Sequence, residues 1–78
     1  MQGHYVLTQT AFFFEDVSNV GFGIAYVEVQ DGIPIVLEST PDLSADRASI
    51  EKLVKLCNEL ELDPIHIKDV IYDFLSDN

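Results

Sequence analysis

Residues 21–39 read Gly-Phe-Gly-Ile-Ala-Tyr-Val-Glu-Val-Gln-Asp-Gly-Ile-Pro-Ile-Val-Leu-Glu-Ser, and the Asp31-Gly32 pair within them decides the fold. An Asp-Gly pair between two β-rich runs suits a two-residue type I′ turn, whose central residues both need φ > 0. The flanks are rich in β-branched and aromatic side chains, so strands are predicted over about 21–30 and 33–39. The turn sets the register: Gln30 opposes Ile33, Glu28 opposes Ile35, and Tyr26 opposes Leu37. Directly opposed residues share a face. Phe22, Ile24, Tyr26, Ile35 and Leu37 therefore make one face, which has the bulk for a core. Gly21, Gly23, Ala25, Val27, Val29, Pro34 and Val36 make the other. Pro34 cannot donate to a ladder, which places its strand at an edge.

Upstream, Tyr5-Val6-Leu7 and Phe12–Phe14 predict a first strand over about 4–14, followed by turn composition at Glu15-Asp-Val-Ser-Asn19. Downstream, Thr40-Pro41-Asp42 is expected to break the third strand. Ser44 is a candidate helix N-cap, with Asp46 in the first turn. Ile50, Leu53, Val54, Cys57 and Leu60 follow at helical spacing, so a helix is predicted over about 45–60. Asp63-Pro64 restarts the chain as N-cap and N1, and Leu62 can staple onto Ile67. The second helix is predicted over about 64–76, with Ile67, Val70, Ile71, Phe74 and Leu75 inward. Residues 1–78 thus read as one α+β domain. A three-stranded antiparallel β-meander precedes a two-helix hairpin packed on one sheet face.

The chain has 78 residues, fourteen acids and four bases, for a formal net charge of −10. Residues 1–43 hold Glu15, Asp16, Glu28, Asp31, Glu38 and Asp42 and no Lys or Arg. Such a chain cannot neutralise phosphates, which argues against direct nucleic-acid binding, and anionic membrane surfaces are disfavoured for the same reason. No apolar run approaches the ~18 residues of a membrane span, and no signal peptide is visible. Cys57 is the only cysteine, which points to a reducing cytoplasm rather than secretion.

No constellation of catalytic groups is complete, so no enzyme, cofactor or metal is expected. Gly21-Phe22-Gly23 opens like a dinucleotide fingerprint but lacks the third glycine and leads into a strand. These glycines are expected to mark a bulge or a close contact. Cys57 lies on the apolar helix stripe, where burial suppresses reactivity, so pairing with His66 as nucleophile and base is disfavoured. His66, Asp69 and Asp73 share a helix face, but a zinc site would need more Cys or His than the chain holds.

Two surfaces stand out. The second sheet face stays apolar at Val27, Val29 and Val36, where an open face should turn polar. It is expected to be covered by the first strand, by a protein partner, or by a second copy in a homodimer. Asp69, Asp73 and Asp77 form an i, i+4, i+8 acidic row, read plainly as solvated and functionally as a contact for a basic partner. The leading expectation is a small non-enzymatic protein–protein interaction module. The alternative is an acidic nucleic-acid mimic, of the phage or mobile-element type, that blocks a nuclease or another DNA-binding protein.

The C-terminal half carries a resemblance. Ser44-Ala-Asp-Arg47, Leu53-Val-Lys-Leu-Cys-Asn58, Leu62-Asp-Pro-Ile-His-Ile-Lys-Asp-Val-Ile71 and Asp73-Phe-Leu75 resemble a family of short uncharacterised proteins from clostridia-like Gram-positive bacteria. Phe22-Gly23-Ile24 matches a Tyr-Gly-Ile-like strand in that family. The resemblance covers about residues 20–75. It implies a bacterial cytoplasmic setting and carries no activity, cofactor or functional residue.

Overall fold

The computed structural model describes residues 3–76. Three antiparallel strands form one sheet in the order β1-β2-β3, with β1 at Gly3–Phe14, β2 at Val17–Gln30 and β3 at Ile33–Ser44. Helix α1 follows at Arg47–Glu59, then a 3₁₀ turn at Pro64–His66 that runs on into α2 at Ile67–Ser76. This is the expected meander with helices on one face, and Pro34 does lie on an edge strand.

The Asp31-Gly32 turn has φ of 54° and 78° at its two positions, the geometry a type I′ turn requires. Gln30 opposes Ile33, Val29 opposes Pro34, Glu28 opposes Ile35 and Val27 opposes Val36. The register then slips, and Tyr26 opposes Glu38 rather than the expected Leu37. Leu37 is the extra residue of a β-bulge, so it leaves the core face and stays exposed. Ile35, also expected inside, is exposed as well, because it sits beside the Asp31-Gly32 turn while α1 packs chiefly over β1.

Two boundaries differ from expectation. The first turn shrinks to Glu15-Asp16, with φ of 52° and 64°, and β2 begins at Val17. Thr40-Pro41-Asp42 does not end β3. Ile24 pairs with Thr40, and pairing resumes at Phe22 with Ser44. The intervening residues bulge, with Asp42 at φ 56°. Gly21 and Gly23 make room for that bulge. A Cβ on Gly23 would strike the Thr40 carbonyl oxygen and the Cα of Pro41, and one on Gly21 would strike the Asp42 carboxylate. The expected close contact is therefore present, made by the chain's own third strand.

Asp46, not Ser44, caps α1. Its carboxylate accepts from the Ala48 N–H at 3.1 Å and from the Ser49 hydroxyl at 2.7 Å. Ser44 Oγ instead accepts from the Asp46 N–H. The hydrogen bond from Ser49 is the main reason that the Asp46 carboxyl titrates below its ordinary value. The C-terminus of α1 closes as a Schellman motif: Leu62 N–H donates to the Cys57 carbonyl and Glu61 N–H to that of Asn58. Asp63 caps the next turn by accepting from Ile65 N–H, with Pro64 in the first position.

The core joins Tyr5, Ile24 and Tyr26 of the sheet to Leu53 and Cys57 of α1 and Ile67 and Ile71 of α2. Leu62 packs on its margin, as a staple toward Ile67 would. Leu60 and Leu75, expected on the inward stripes, are exposed. The tyrosine rings lie 5.0 Å apart at a 56° tilt, an attractive edge-inclined arrangement.

Candidate functional site

Beyond the helices, β1 and β2 continue as a two-stranded arm formed by residues 11–20, with Glu15-Asp16 at its tip. Phe13 is 80% exposed, Phe14 65% and Phe12 38%, and Val17 and Val20 are also exposed. By alternation, Phe12, Phe14 and Val17 share the sheet face that points away from the helices. At the far end of that face lie Val29 and Val36, both exposed. Val27, between them and the centre, is only 9% exposed. Between the two apolar ends, the bulged 40–42 segment covers Gly21 and Gly23. The face is thus closed in the middle by β3 and open at both ends.

Every ionised side chain on residues 3–44 is acidic; Arg47, Lys52, Lys55 and Lys68 all lie on the helices. Arg47 pairs with Glu51 at 2.7 Å and stands over the Phe22 ring at 5.9 Å. Lys55 meets Glu59 at 3.8 Å. Asp69 and Asp73 are exposed on α2, one turn apart. Asp73 also lines a groove of about 460 Å³ between the helices, floored by Leu53, Leu56, Val70 and Phe74 with Lys52 at its side. Asp77 lies outside the described residues.

A second hollow, of about 370 Å³, lies where the β1 edge meets the end of α1 and is lined by His4, Tyr5, Tyr26, Cys57, Asn58 and Glu61 among others. Its central polar groups are engaged in structure. The Tyr5 hydroxyl donates to the Leu62 carbonyl at 2.9 Å. The Asn58 amide takes both edge groups of Tyr5, its Oδ1 accepting from the N–H at 2.7 Å and its Nδ2 donating to the carbonyl at 2.9 Å. Burial pushes the Tyr5 phenol up to about 12 and raises the Cys57 thiol.

Cys57 is 1% exposed, and no hydrogen bond or common cleft joins it to His66, which is exposed on the 3₁₀ turn. Among the described residues, no three His, Cys, Asp or Glu side chains gather as a metal-binding group. No helix among them is long and apolar enough to cross a membrane. The sheet face and the acidic row were visible in the sequence. The arm was not, although three consecutive phenylalanines before Glu15-Asp16 were the available signal.

The fold and these surfaces define a small α+β domain whose apolar sheet ends are bordered by acids. The chain belongs to DUF6514, a family of unknown function whose model matches residues 1–77. The match includes β1, outside the resemblance read from the C-terminal half. Comparison with curated proteins and with solved structures gave no match.

Proposed function

We propose that this chain is a non-enzymatic protein–protein interaction module acting in the cytoplasm. One observation carries the reading: large apolar side chains are exposed on a sheet whose charges are all negative. Large apolar side chains exposed together, as Phe12, Phe14 and Val17 are on the arm, mark contact sites. A rim of one sign selects partners of the opposite sign and speeds their encounter. The partner this surface fits carries an apolar centre bordered by Lys or Arg.

Val36→Lys tests the reading, because Val36 is 60% exposed and tolerates a charge in the free monomer. Val27→Lys is unsuitable, since it would bury an ammonium. The tagged chain is used to capture partners from its native cells, and the Val36→Lys and Phe14→Lys variants should lose the partner while keeping the fold by circular dichroism. If both retain it, the apolar face is not the contact.

The acidic-mimic reading rests on the exposed Asp69 and Asp73 of α2. The bases sharing the helices with them, Lys52, Lys55 and Lys68, weaken it. It requires that Asp69→Asn, Asp73→Asn and Asp77→Asn together release a nucleic-acid-binding protein that Val36→Lys leaves bound.

A further inference from the structure

The two outer edges of the sheet are built differently. Along β3 the chain has Pro34, Pro41, Glu38, Asp42 and two register slips. Prolines, charges and bulges are the devices by which proteins protect an exposed edge from pairing. Along β1, Gly3–Phe14 has no proline, no Lys, Arg, Asp or Glu, and an unbroken register with β2. In a two-residue hairpin the residues flanking the turn bond to each other. Phe14, Phe12, Thr10 and Thr8 therefore bond inward to β2, and Phe13, Ala11, Gln9, Leu7 and Tyr5 point their N–H and C=O groups outward. Tyr5 confirms this phase, because its N–H and C=O are the groups that Asn58 takes. The Asn58 side chain thus ends the free edge at Tyr5 and leaves four outward residues open.

We propose that β1 pairs antiparallel with β1 of a second copy, joining the two meanders into one six-stranded sheet. The edge is complementary to itself in one register. With the two-fold axis at Thr10, Leu7 faces Phe13 of the other copy and Gln9 faces Ala11. All four open residues on each chain are then used, and the pairing stops where Asn58 begins. Shifting the axis by one residue toward the N-terminus pushes Phe13 against the occupied Tyr5, and shifting it toward the tip leaves Leu7 unpaired. Charge permits the contact despite the net −10 of each chain, since residues 7–14 are uncharged and the Glu15-Asp16 tips point to opposite ends. Phe13, 80% exposed in the free chain, is then laid beside Leu7 of the other copy.

The pairing uses the backbone edge of β1 rather than the sheet face, so Val36→Lys, at the far end of that face, separates it from the partner reading above. Sedimentation of the pure protein should show a dimer at micromolar concentration. Ala11→Pro removes an outward N–H that β2 does not need, and should weaken the dimer at least ~10-fold with unchanged circular dichroism. Val36→Lys should leave the dimer intact. Thr10→Cys provides a test that does not depend on that proline being tolerated. The two Thr10 Cα atoms would face each other at ~4.5 Å as a non-hydrogen-bonded pair, within disulfide reach. Mild oxidation should cross-link Thr10→Cys and not Thr8→Cys, whose copies would lie ~14 Å apart along the strands. A monomer up to near-millimolar concentration, or equal cross-linking of the two cysteine variants, overturns the proposal. So does a monomer that loses a different captured protein on Ala11→Pro, which would assign the edge to a foreign strand.

Discussion

Tyr5 ties three parts of the molecule together. Its backbone is held by Asn58, its ring packs on Tyr26, and its hydroxyl donates to the Leu62 carbonyl at the joint between the helices. A phenol shifted upward on folding stabilises the native state fully below its ordinary pKa of 10, and that contribution is lost as pH rises toward 12. Denaturant melts at a series of alkaline pH values should show stability falling through this window, with the Cys57 thiol, also raised, adding to the loss. Tyr5→Phe should cost about 1 kcal/mol at neutral pH, from the lost hydrogen bond, and flatten the alkaline decline. Glu61 offers the opposite case. It occupies the left-handed position after α1 at φ 48°, where glycine is favoured. Its side chain is exposed, so Glu61→Gly should raise stability by about 0.5–1 kcal/mol in the same melts.

At the scale of elements, the C-terminal end of β3 lies against β2 only because two glycines leave room for its bulge. Gly23→Ala places a methyl against backbone atoms of Thr40 and Pro41, which cannot swing aside. It should cost about 1–3 kcal/mol, typical of overpacking. Gly21→Ala meets chiefly the Asp42 side chain, which can move, and should cost less. Urea melts of the two variants check this order. The element boundaries show which parts were legible beforehand. Asp31-Gly32 was readable as a turn because its requirement for positive φ is met by residue type. Glu15-Asp16 adopts the same geometry without glycine or asparagine, so the five-residue turn composition hid a two-residue turn. The strand through Pro41 was hidden because proline and aspartate usually end strands; here the gap is accommodated as a bulge over Gly21 and Gly23.

The molecule measures 42 × 31 × 18 Å, comparable in length to the ~30 Å screening distance at ~0.01 M salt. Its net charge of −10 is therefore felt across the whole structure at low ionic strength and disfavours compaction. Raising salt to ~1 M, where screening falls to ~3 Å, should raise the thermal midpoint at fixed protein concentration. A gain of about 1 kcal/mol would appear as about 4–8 °C. Calorimetry across a salt series checks this, and a midpoint that falls would show that the described ion pairs outweigh the repulsion. The same long shape leaves the arm outside the cover of the helices, whose core meets the sheet at Tyr5, Ile24 and Tyr26, with Leu43 packed against it.

The fold class, the Asp31-Gly32 hairpin, the helical stripes and the Asp63-Pro64 restart could all be read from local residue patterns. Each depends on a constraint spanning a few neighbouring residues: a sign of φ, a periodicity, a missing N–H. The exposure of Phe12–Phe14, the bulge at Leu37, the seating of β3 on Gly21 and Gly23 and the blocking of Tyr5 by Asn58 depend on segments up to 53 residues apart. Local pattern states that a side chain is apolar or a backbone group unpaired. Whether anything arrives to cover it is set by where the distant chain packs, and here that leaves one strand edge and both ends of one sheet face open.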